Sequence, residues 1–134
     1  MLTSFSLDPS MIATIGGAFY PTGYSMVMFP DQETAVSVGT ELGKLLPDSE
    51  VLLLTPAAIQ SQITPTVSDA DDPLPSAGTE AATVRAYTKL AREGHHGLLV
   101  KTPDEETAER MMEVVRRFPY TMAQRYRMLV IEDL

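Results

Sequence analysis

Apolar positions along the chain follow two rhythms. Short apolar runs at Tyr24–Phe29, Val51–Thr55, Gly97–Val100 and Met128–Ile131 have the length of strands. Between them, apolar residues recur at helical spacing. Ala35, Val38, Leu42, Leu45 and Leu46 form one such stripe, and Ala108, Met111, Met112, Val115 and Phe118 form another. The far side of the second stripe carries Glu106, Glu109, Arg110, Glu113 and Arg117, with Glu106–Arg110 and Glu113–Arg117 in the favourable i,i+4 order. A third amphipathic stretch, 79–93, presents Val84, Tyr87, Leu90 and Ala91, and Gly94 is its expected terminator. Residues 64–78 are acidic and proline-rich, which predicts a loop. Asp8-Pro9 suggests a short capped turn ending at Gly16-Gly17.

The pattern repeats. Pro30-Asp31-Gln32-Glu33-Thr34-Ala35 matches Pro103-Asp104-Glu105-Glu106-Thr107-Ala108 at an offset of 103 − 30 = 73 residues. Each copy follows an apolar run and opens a helical stretch. In the second copy Thr102 is the expected cap, with Pro103 at the first helical position and Glu105 completing a capping box. Phe29 stands in the corresponding place of the first copy, so Asp31 is the expected cap there.

Each half therefore reads strand–helix–strand. One domain over 1–134 follows, divided into an N-terminal segment (1–19), a first βαβ unit (20–56), an acidic loop with a middle helix (57–94) and a second βαβ unit (95–134). The expected class is α+β, ferredoxin-like, with a four-stranded antiparallel sheet and the middle helix inserted between the halves. A four-stranded parallel sheet with crossover helices is the alternative. The first and third strands are apolar on both faces, so a cover is expected over the second face: the middle helix, the N-terminal segment or another subunit.

The stretch YPTGYSMVMFPDQETAVSVGTEL, and later GLLVKTPDEETAERMMEVV, resembles the small general-stress or heat-induced stress proteins of bacteria. The likeness spans about residues 20–131 and lies in structural motifs: strand, acidic turn, alanine-containing helix, repeated. It implies a bacterial cytoplasmic accessory protein and supplies no catalytic residue.

Composition narrows the field without choosing within it. The 134 residues are 44% hydrophobic and 21% charged, an ordinary globular balance. No apolar run approaches the roughly 18 residues that span a bilayer. The N-terminus lacks a basic region followed by an apolar stretch, so no secretory signal is expected and a cytoplasmic location is. The chain has no cysteine, hence no disulfide and no thiolate metal site. A net charge of −8 disfavours nucleic acid and anionic membrane as partners.

Four segments invite chemical readings. His95 and His96 are the only histidines; neighbours on a strand point to opposite faces, so one metal ion would not take both, and no metal is expected. Val38–Leu45 has glycines and Lys44 like a phosphate-binding loop, but its spacing is one residue short and it lies inside a helical stretch. Asp69–Glu80 has the length of a calcium loop, yet Pro73 and Leu74 occupy its fifth and sixth positions. The segment 116–127 holds four arginines and three aromatics, and Arg116, Arg125, Tyr126 and Arg127 are candidate contacts for an anion or RNA. His95 and His96 are candidate ligand contacts.

No hydrolase motif occurs, and no catalytic set is assigned. The expected function is a non-catalytic accessory or regulatory protein, stress-related, cofactor-free and forming a homo-oligomer, most simply a dimer. The alternatives are a small-ligand sensor under the 56–94 segment, an RNA or anion binder, and a small dimeric α/β-barrel-type enzyme.

Overall fold

A computed structural model describes residues 2–13, 17–67 and 79–134. The strands are β1 (Leu2–Ser4), β2 (Tyr24–Phe29), β3 (Val51–Leu54), β4 (His96–Lys101), β5 (Met122–Tyr126) and β6 (Ile131–Asp133). The helices are α1 (Gln32–Leu45), α2 (Pro56–Ala58), α3 (Thr79–Arg92) and α4 (Glu105–Val115). A π-turn at Ile59–Ile63 and a 3-10 turn at Thr64–Thr66 continue from α2.

The six strands form one sheet in the order β1-β3-β4-β2-β5-β6. β1 runs parallel to β3, and every other neighbouring pair is antiparallel. This mixed six-stranded sheet overturns both the four-stranded ferredoxin-like expectation and the parallel alternative; the α+β class stands. The two extra strands have physical causes that apolar patterning could not display. β1 reads only Leu-Thr-Ser, and it is held because Leu2 seats its side chain where α1 has no Cβ: one built on Gly39 would lie 2.8 Å from Leu2 Cδ1. β6 forms because the chain turns back at Arg127, whose N–H donates to Val130 O, so Glu132 comes to lie beside Arg125.

The last strand of the second repeat is also displaced from expectation. Met128–Ile131 is not the strand; Met122–Tyr126 is, and Met128, Leu129 and Val130 form the exposed tip between β5 and β6. Gln124 and Arg125 disguise β5, because their polar side chains break the apolar run.

The repeat itself is structural. Asp31 Oδ1 accepts from Thr34 N at 2.8 Å and Asp104 Oδ1 accepts from Thr107 N at 2.7 Å. Both helices therefore start on the same aspartate cap. Thr102 is not the cap; its hydroxyl lies 2.7 Å from Ser25 Oγ, buried between the two central strands. Met26 pairs across the sheet with Leu99, and 99 − 26 = 73 is the sequence offset. The two halves are thus related by a local two-fold through this pair.

Residues alternate between two cores. Val27, Phe29, Val51, Leu98 and Val100 face α1 and α4. Met26, Met28, Leu52, Leu54 and Leu99 face the other way, covered by Val84, Tyr87 and Ala91 of α3, by Ile59 and Ile63, and by Phe5, Met11 and Phe19 of the N-terminal segment. The second face is covered from within the chain. Gly94, at φ 90°, ends α3, and His95 N closes the turn onto Leu90 O. The glycine-containing stretch Val38–Leu45 lies within α1, where Gly39 admits Leu2. Of the segments singled out in the sequence, Gly16 and all but Glu80 of the calcium-loop-like stretch are outside the described residues or have no described side chain.

Candidate functional site

Each histidine has a local structural setting. His95 Nε2 lies 2.9 Å from Thr121 Oγ1, while its Nδ1 is buried with no hydrogen-bond partner. His96, the first residue of β4, pairs with Phe29 and places Nδ1 3.2 Å from Gly94 O, a contact that requires the proton on Nδ1. No group of three metal-ligating side chains is found among the described residues.

The four candidates from 116–127 do not share a surface. Arg116, at the end of α4, forms a 2.8 Å ion pair with Glu109. Arg125 and Arg127 alternate with Tyr126 along the chain and share Glu132, at 4.0 Å and 3.6 Å. Tyr126 points to the opposite face, into the core under α3. The expected Glu106–Arg110 and Glu113–Arg117 pairings are replaced by longer reaches: Arg110 Nη2 donates to Leu45 O, and Arg117 lies 3.7 Å from Glu41 of α1.

Tyr126 belongs to a buried polar chain that sequence reading missed. Tyr87 of α3 donates its hydroxyl to Gln124 Oε1 at 3.0 Å. That uses its one proton, so the 3.0 Å contact with Tyr126 is donated by Tyr126. Gln124 Nε2 in turn donates to Asp133 Oδ1 at 3.1 Å. Burial pushes both phenols well above the ordinary tyrosine range. They are therefore neutral hydrogen-bonding groups that lock α3 to β5 and β6, not bases. A Tyr in the apolar stripe of α3 and a Gln in a strand were the available signals.

Beyond this lock the chain opens. Tyr20 stacks edge-on against Tyr126 with ring centroids 5.0 Å apart, and its hydroxyl donates to Arg127 O at 2.6 Å. It thereby braces the β5–β6 tip from below. On the outer side lies a groove of about 480 Å³ whose lining includes Ile12, Ala13, Tyr20, Glu80, Met128 and Leu129. A smaller hollow, about 280 Å³, continues along Val130 and Ile131 and shares Tyr20, Glu80 and Leu129 with it. Neither histidine lines either hollow. Above the groove stand Met128, Leu129 and Val130, with exposures of 80%, 90% and 58%.

Glu80, in the first turn of α3, is among the described residues the one charged side chain lining both hollows. Burial, and then the negative charge of Glu80, raise the Tyr20 hydroxyl above its usual range. Among the described residues the site offers an apolar wall, a phenol ring, the hydroxyls of Ser10 and Thr22 and one carboxylate.

No family model matches the chain, and comparison with curated proteins and with solved structures gives no match either.

Proposed function

We propose that the chain is a non-catalytic accessory protein that engages a partner protein through the β5–β6 tip and the adjoining groove. The observation that carries this reading is the run Met128-Leu129-Val130, three apolar residues in solvent beside a concave surface. The sheet's own apolar faces are covered by α1, α4, α3 and the N-terminal segment, so the tip is not spare core. Contiguous exposed apolar surface next to a groove marks interaction sites. The anion-binding alternative gains nothing from the arginines, since Arg116, Arg125 and Arg127 each lie beside a carboxylate.

A photo-crosslinking amino acid at position 129, compared with one at the exposed position 105 of α4, tests the reading in cells. Position 129 is expected to yield a discrete adduct that position 105 does not. Identical adduct patterns from both would overturn it.

A stress-related role in the bacterial cytoplasm is part of the same proposal, supported by the resemblance of the two repeat units to small stress proteins. It predicts that the protein becomes more abundant after heat shock of its source organism; constant abundance would count against it. No helix among the described residues is long and apolar enough to cross a membrane.

A further inference from the structure

We infer that the occupant of the groove is an extended segment of a partner protein that adds to the β6 edge, with apolar and basic side chains alternating along it. This rests on the functional reading above and names the chemistry of the partner.

β6 is the outermost strand on its side of the sheet. Its partner bonds alternate: Arg127 N donates to Val130 O, and Leu134 N donates to Ala123 O. Val130, Glu132 and Leu134 therefore turn their backbone groups toward β5, and those of Ile131 and Asp133 face outward. An incoming strand can bond to both residues.

The register also sorts charge. Glu132 lies across from Arg125, and these two, with Arg127, occupy the α4 side of the hairpin. The groove side carries Ile131, Asp133 and, across the hollow, Glu80. Among the described residues no base lines either hollow and no ion pair to Glu80 is found. An added strand projects alternate side chains to one face. On the groove side, an apolar residue would meet Leu129 and Tyr20, and a lysine or arginine two positions away would meet Glu80.

A second copy of the chain fits less well. Two β6 strands in full antiparallel overlap pair Ile131 with Asp133 and set Glu132 opposite Glu132, a like-charge pair. Each copy would also bring a net charge of −8. A cationic partner meets neither penalty.

The test is selection from a phage-displayed library of random 12-residue peptides on the full chain, repeated on Leu129→Asp and Glu80→Gln. Peptides are expected to carry Lys or Arg two positions from an apolar residue. They should lose about tenfold or more in affinity on Leu129→Asp, and roughly two- to fivefold on Glu80→Gln. N-methylation of alternate amides in one phase should abolish binding and in the other leave it intact. Peptides that need Leu129 but show no basic preference and ignore Glu80→Gln would overturn the inference and leave the functional reading standing. Peptides indifferent to Leu129→Asp, or no selection at all, would overturn both. A wild-type dimer that Leu129→Asp converts to monomer would make a second copy the occupant and overturn the basic-strand assignment. Leu129 is exposed, so an unchanged melting midpoint of Leu129→Asp shows that the variant is folded.

Discussion

The two repeat units share a frame and differ in how they finish it. In the first, α1 leads into β3, whose Val51-Leu52-Leu53-Leu54 is apolar throughout. In the second, α4 leads into β5, whose Ala123-Gln124-Arg125-Tyr126 occupies the equivalent rungs. Leu52 pairs with Leu99 as Gln124 pairs with Met26, and 124 − 52 = 72, one less than the offset of the strands before it. The second connection is therefore one residue shorter. β3 needs only apolar partners, because Phe5, Ile59 and Ile63 belong to the core on one side and α1 supplies the other. β5 instead answers polar groups: Tyr87 of α3 meets both Gln124 and Tyr126, and Glu132 of β6 meets Arg125. The same duplicated scaffold thus closes as plain core at one end. At the other it ends in a polar lock, a hairpin and an exposed apolar tip.

The comparison can be broken most severely at the shared two-fold. Leu99 is fully buried opposite its repeat mate Met26, so Leu99→Ala should cost about 3 kcal/mol in urea unfolding. Breaking the polar lock should come next. Tyr87→Phe removes the donor to Gln124 and the acceptor for Tyr126, at a cost of roughly 1–2 kcal/mol. A variant as stable as the parent would show that the lock is dispensable.

The caps then test whether the halves are alike where they should be. Asp31→Ala and Asp104→Ala should lower the melting midpoint by similar amounts, a few degrees each. Backbone hydrogen bonds from Thr34 and Thr107 hold these carboxyls below the ordinary carboxylate range. Their contribution is present above the unfolded pKa and is lost as pH falls through the folded one, so both variants should flatten the acid limb of the stability curve.

The smallest effect concerns Tyr24, the strand residue at the edge of the first unit. Partial burial, followed by its 2.7 Å hydrogen bond to Glu50, pushes its hydroxyl up to about 12. The folded state therefore loses stability as pH rises from the unfolded value of about 10 through the folded one. Tyr24→Phe should blunt that loss, read as midpoint against pH.

The parts of this fold legible in the sequence are those fixed by apolar periodicity or by a capping aspartate. α1, α4, β2 and β4, the terminator Gly94 and the covered second face follow from such signals. β1 and β6 do not, because three-residue edge strands are stabilised by neighbours and carry little pattern of their own. β5 was hidden by Gln124 and Arg125, although carrying Val51–Leu54 forward by 73 residues lands on 124–127, within a residue or two of it. Met128–Val130 misled for the converse reason: apolar residues usually mark core, and here they face water. The candidate site suffered accordingly. The arginines and histidines stand out by residue type, whereas the groove is assembled from Ile12, Tyr20, Glu80 and Leu129, which lie far apart in sequence and carry no local signal that they meet.

The central claim is that the second unit's hairpin tip serves binding and not folding. Leu129→Asp decides it, measured side by side for thermal midpoint and for affinity toward peptides selected on the parent chain. The account predicts a midpoint unchanged to within about one degree, as for an exposed position, and binding weakened by about tenfold or more. A lowered midpoint with binding retained would contradict it.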